Sequence, residues 1–95
     1  SGDEAGTMPF GLAPPAPNPA VGRVALTFHL AQAAENAQLA IYDALGREVA
    51  QVAQGAREAG EHTVALAASR LAPGVYNVRH TSGGQYASRS LTIVR

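Results

Sequence analysis

Val24-Ala25-Leu26-Thr27-Phe28-His29-Leu30 sets its large apolar residues on alternate positions. Successive side chains of a strand point to opposite faces, so Val24, Leu26, Phe28 and Leu30 share one face and are predicted to be its buried side. Downstream, Leu39-Ala40-Ile41-Tyr42-Asp43 reads as a second strand with Leu39 and Ile41 inward. The six residues between, Ala31 to Asn36, are too few to hold a helix without tertiary support and are expected to form a loop. Asp43-Ala44-Leu45-Gly46-Arg47 has the chemistry of a tight turn: Asp can bond its own backbone, and Gly tolerates positive φ.

After that turn, Glu48 to Ala53 reads as a returning strand. Its apolar residues Val49 and Val52 would fall on opposite faces of a regular strand, so a bulge or an edge position is expected. Gln54 to Gly60 reads as a connection, and Glu61 to Leu66 as a strand with Val64 and Leu66 inward. Pro73-Gly74 marks a turn. Val75 to His80 follows as a strand with Tyr76 and Val78 toward the core. Ser82-Gly83-Gly84-Gln85 supplies the φ > 0 positions of a two-residue hairpin. The last strand, Tyr86 to Val94, aligns Ala87, Leu91 and Ile93 on one face, with Arg89 and Arg95 in the same register.

Upstream of the opening stripe the composition changes. Five of the six prolines lie before residue 20, which excludes helix there. Residues 1–11 read as a flexible linker and 12–95 as the folded domain, with Leu12-Ala13-Pro14-Pro15 suited to a short edge strand. The start, Ser1-Gly2-Asp3-Glu4, reads as a cut edge, so the chain is expected to be the tail of something longer. Together these elements describe an all-β protein, an immunoglobulin-like antiparallel β-sandwich of about seven short strands. The cysteine pair and tryptophan of antibody domains are absent, so the likeness is one of architecture.

Composition narrows the function. A chain of 95 residues makes one domain and buries only about 60–65% of its unfolded surface. Seven acidic residues balance seven basic ones, without the basic surplus that nucleic-acid partners require. All seven basic residues are Arg and 20 residues are Ala, a bias in keeping with a GC-rich coding sequence. With no Cys there is no disulfide and no thiolate chemistry. His29, His62 and His80 are at least 18 residues apart, lack a carboxylate cluster and read as strand-surface or turn residues rather than metal ligands. No nucleophile elbow, phosphate loop or local carboxylate pair occurs, so neither an enzyme nor a cofactor is expected. Phe28 and Tyr76 read as core or corner residues, leaving Tyr42 and Tyr86 as the rings available to a carbohydrate.

The order of five segments carries a family resemblance: Pro17-Asn18-Pro19; Leu39 to Val49 with its Tyr42-Asp43-x-x-Gly46-Arg47 turn; Ala59 to Val64; Leu71-Ala72-Pro73-Gly74-Val75-Tyr76; and Arg89 to Arg95. Over residues 12–95 this resembles the type A C-terminal sorting domain of type IX secretion cargo, and much of the pattern is shared with the immunoglobulin-like domain of flagellar hook-capping proteins. The resemblance implies a non-catalytic address. It would be read by an outer-membrane translocon and a sortase-like peptidase and fused behind an N-terminal cargo domain of the same parent. Such a protein is exported through the periplasm to the cell surface or medium. Gly46, Arg47, Arg89, Leu91, Ile93, Val94 and Arg95 are the candidate recognition residues; Pro17, Asn18, Pro19, Tyr42, Asp43, Gly74 and Tyr76 are the motif residues expected to hold the fold. Family tails are often Lys-rich, whereas this one carries Arg. The other reading is a carbohydrate-binding or structural accessory module of a secreted polysaccharide hydrolase. An exposed edge strand also offers a route to a homodimer.

Overall fold

The opening stripe lies in β2 (Arg23–Leu30) of a computed structural model that describes residues 10–94, and Val24, Leu26, Phe28 and Leu30 are all buried. The other strands are β1 (Gly11–Leu12), β3 (Ala34–Tyr42), β4 (Glu48–Arg57), β5 (Gly60–Ala67), β6 (Gly74–Ser82) and β7 (Gln85–Ile93). Seven antiparallel strands form two sheets, ordered β1-β2-β5 and β4-β3-β6-β7, an immunoglobulin-like β-sandwich. A short 3-10 turn, Ala68–Arg70, links β5 to β6.

Phe28 and Leu26 of one sheet belong to the same core cluster as Leu39, Ile41, Val78 and Leu91 of the other, and each of the six is at most 1% exposed. Burial of one such side chain stabilises by about 1.5–3 kcal/mol, so these two facing rows decide the pairing of the sheets. A one-residue slip of β2 would turn its whole apolar row to solvent.

β4 combines both features expected of Glu48–Ala53: it is the outermost strand of its sheet, and it bulges twice. Leu39 pairs with Ala53 and Ala40 with Gln51, which leaves Val52 as the extra residue; Ile41 pairs with Ala50 and Tyr42 with Glu48, which leaves Val49. Each extra residue shifts the side-chain alternation by one.

The ends of β3, β4 and β1 differ from the sequence reading in ways that bear on the sheets. β3 begins at Ala34, inside the stretch expected as a loop, and β4 runs to Arg57, through much of the expected connection. The two extensions satisfy each other, Ala34 pairing with Arg57 and Ala37 with Gly55. Their Ala and Gln residues offer too little contrast in polarity to show a period of two. β1 opens at Gly11, the last residue of the expected linker, because Gly11 and Leu12 pair with His29 and Phe28 and Leu12 is buried. The linker's residues 1–9 lie outside the described residues.

Candidate functional site

The turn between β3 and β4 is organised by one carboxylate. Asp43 Oδ1 accepts the backbone N–H groups of Leu45 and Arg47, both at 2.9 Å, and Oδ2 accepts Arg47 Nε at 3.0 Å. The backbone closes the turn as well, with Gly46 N–H bonded to Asp43 O and Asp43 N–H to Arg47 O. Gly46 has φ +83°, a region that costs an L-residue roughly 1–2 kcal/mol, so glycine here follows from the turn itself. The Arg47 backbone N–H above all holds the Asp43 carboxyl below the usual carboxylate range; the guanidinium and Leu45 N–H add to this, against a raising effect of burial. Arg47 is therefore a turn clamp whose side chain stays largely exposed.

The Pro17-Asn18-Pro19 segment is bound to the outer edge of β7. Asn18 Nδ2 donates to Ser90 O and Thr92 N–H donates to Asn18 Oδ1, both at 3.0 Å. Ala20 continues the pairing as a parallel bridge to Ile93, through Ala20 N–H to Thr92 O and Val94 N–H to Ala20 O. Of the last-strand candidates, Leu91 and Ile93 are buried and serve the core, whereas Val94 is exposed. Arg89 lies in the inward register and its Nε donates 2.8 Å to Leu12 O, joining β7 to β1 of the opposite sheet. Arg95 lies outside the described residues. At the β5–β6 corner, the Tyr76 hydroxyl donates to the Ala72 carbonyl, fixing the loop from buried Leu71 to Gly74.

The structure brings the β3–β4 turn and the end of β7 to the same end of the sandwich, on different strands of the four-stranded sheet. From β4 to β7 is three strand spacings, about 14 Å. Large apolar residues are also exposed at this end: among the described residues, Val21, Leu45, Val49, Val75 and Val94 are five of the six such residues, Leu45 being 77% exposed. Surface apolar side chains are ordinary when scattered singly; here they gather at one end.

A second grouping escaped the sequence reading. His80 is fully buried, correcting its expected surface position, and its ring stacks on Phe10 at 4.5 Å and lies 4.6 Å from Phe28. Phe28 also stacks on His62, whose Nε2 lies 2.7 Å from Glu58 O. His80 Nδ1 lies 3.2 Å from Gln38 O, and Nε2 has no hydrogen-bond partner. Burial lowers the His80 pKa, opposed by the backbone groups of Gln38 and His29 and aided by charge on His29 and His62. The available signal was the alternation Tyr76, Val78, His80, which continues inward for one more step than an apolar pattern reveals. Among the described residues no three His, Asp or Glu converge to hold a metal ion.

On the outer face of the four-stranded sheet, Tyr42 and Tyr86 flank the Arg79 guanidinium, each ring centroid 5.3 Å from its central carbon. Tyr86 is exposed, as the sequence suggested, while Tyr42 is half-buried. No curated protein matches the chain. The FlgD Ig-like domain family matches residues 16–85, which covers β2 to β6 and the β6–β7 turn, and the chain belongs to that family.

Proposed function

We propose that this immunoglobulin-like domain is the C-terminal address of a larger exported protein, carrying it through type IX secretion to the cell surface or medium. The observation that supports this reading best is the apolar end of the sandwich. There Leu45, Val49, Val75 and Val94 are exposed around the Asp43–Arg47 turn and the close of β7. The turn and the last strand are the regions that carry the candidate recognition residues Gly46, Arg47 and Val94. A translocon that docks on this end would bury the apolar side chains and meet Arg47 at the rim. A sortase-like peptidase would act upstream, on the linker before Phe10.

The test is a folded reporter fused ahead of residues 1–95 and expressed in a host with type IX secretion. The expected result is reporter on the surface or in the medium, lost in a translocon-deficient strain and lost again on Leu45→Glu or Val94→Glu with unchanged melting temperature. Reporter retained in the periplasm beside a correctly exported native cargo would overturn the proposal, as would export indifferent to the translocon.

A further inference from the structure

We propose a binding site for acidic saccharides on the outer face of the four-stranded sheet, centred on Arg79. This site is separate from the apolar end and does not depend on the sorting role. Beside the Tyr42–Arg79–Tyr86 row runs an open groove of about 360 Å³, lined by Asn36, Gln38, Thr81, Gln85, Tyr86 and Arg79 among others. Its chemistry is of three kinds. Tyr86, 66% exposed, offers an aromatic face to the C–H face of a pyranose. Asn36, Gln38 and Gln85 offer side-chain amides, and Thr81 a hydroxyl, each able to donate to and accept from sugar hydroxyls.

Arg79 supplies the charge. Its guanidinium carbon lies 5.3 Å from each of two ring centroids, so the two rings hold the cation in place on the face. No Asp or Glu of the described residues forms an ion pair with Arg79, and none lines the groove. A pre-oriented guanidinium without a counter-ion fits a carboxylate in bidentate fashion. A peptide is a poorer occupant, because the backbone groups of β6 are taken up on both sides by β3 and β7, so no strand can be added on this face. The face recognises through side chains alone, and rings, amides and one cation together suit a uronic acid unit.

The full chain is run in native gels containing polygalacturonate, alginate or hyaluronan, with dextran and poly-glutamate as the neutral and the non-sugar acidic comparisons. Retardation is expected with at least one acidic polysaccharide and neither comparison, weakening as salt is raised. Arg79→Gln and Tyr86→Ala should each weaken binding about tenfold or more at unchanged melting temperature, the effect of losing one charge-assisted contact or the ring platform. Arg70→Gln, a charge removed elsewhere, should leave it unaltered. No retardation with any of the three acidic polymers overturns the proposal. So does equal binding of dextran or poly-glutamate, or binding that survives both substitutions.

Discussion

The Asp43 carboxylate holds Arg47 at two points, accepting the Arg47 backbone N–H at Oδ1 at 2.9 Å and Arg47 Nε at Oδ2 at 3.0 Å. The two contacts differ in what a substitution removes. Arg47→Ala takes away only an exposed ion pair, of a kind that contributes little to stability. Asp43→Ala takes away the acceptor of two backbone N–H groups as well. The melting temperature is therefore expected to fall clearly for Asp43→Ala and hardly for Arg47→Ala, with Asp43→Asn in between because its amide oxygen still accepts. Equal falls for Asp43→Ala and Arg47→Ala would show that the guanidinium, not the Asx geometry, holds the turn.

The same carboxylate has a pH signature. Its folded pKa is lowered, so its contribution is fully present above the unfolded value of about 3.9 and is lost as pH falls through the folded value. Urea midpoints measured between pH 6 and pH 2 should converge for the wild type and Asp43→Asn at the acid end. A constant gap would contradict the assignment.

His80 acts at milder acidity. Its folded pKa is depressed by burial, so an unfolded chain protonates first, and stability is lost as pH drops below about 6.5 toward the lowered folded value. His80→Leu, close in volume and without the unpartnered Nε2, should match the wild type within about 1.5 kcal/mol at pH 7.5. At pH 5.5 it should be the more stable of the two. Denaturant unfolding at the two pH values checks this, and parallel losses in both proteins would remove His80 as the cause.

Asn18 is expected to protect the last strand. Asn18→Ala deletes one donor and one acceptor to β7, worth about 1–2 kcal/mol together. Amide exchange at Thr92, whose N–H is bound to Asn18 Oδ1, should accelerate before exchange in β2 changes. Unchanged Thr92 protection would mean that the edge is held by Ala20 alone.

Tyr76→Phe tests the corner. Loss of the hydroxyl bond to Ala72 should cost about 1 kcal/mol, a fall of roughly 4–8 °C in melting temperature for a domain of this size. Calorimetry reads it directly.

The strands carrying Leu, Ile, Val and Phe were legible because alternation is visible when large apolar and polar residues take turns, as from Val24 to Leu30 and from Leu39 to Ile41. The turn at Gly46 and the corner at Tyr76 were legible because their residue types are forced by local geometry. The Ala and Gln stretches of β3 and β4 were not, since they hold no contrast of size or polarity. The meeting of Phe10, Phe28, His62 and His80 was hidden for another reason. It depends on two sheets facing each other, and residues from four strands or their flanks meet only after that docking. Arg79 between Tyr42 and Tyr86 is similarly a product of diagonal neighbours on three strands. Which side chains at the apolar end stay uncovered follows from the lengths of strands, and a period of two does not give those.

The parallel bridge of Ala20 to Ile93 bears on how the domain carries load. Tension entering upstream of Phe10 first meets the two-residue β1, which can peel from β2 one bond at a time. Past the bonds of Ala13 and Ala16 to β2, which open in the same way, the pull reaches Asn18 and Ala20, whose chain runs alongside β7 in the same direction. If the opposing pull leaves beyond Val94, the hydrogen bonds at Ser90, Thr92 and Val94 are strained together in shear instead of being opened in sequence. The domain thus has a compliant first stage and a stiff second one, a fuse in series with a latch.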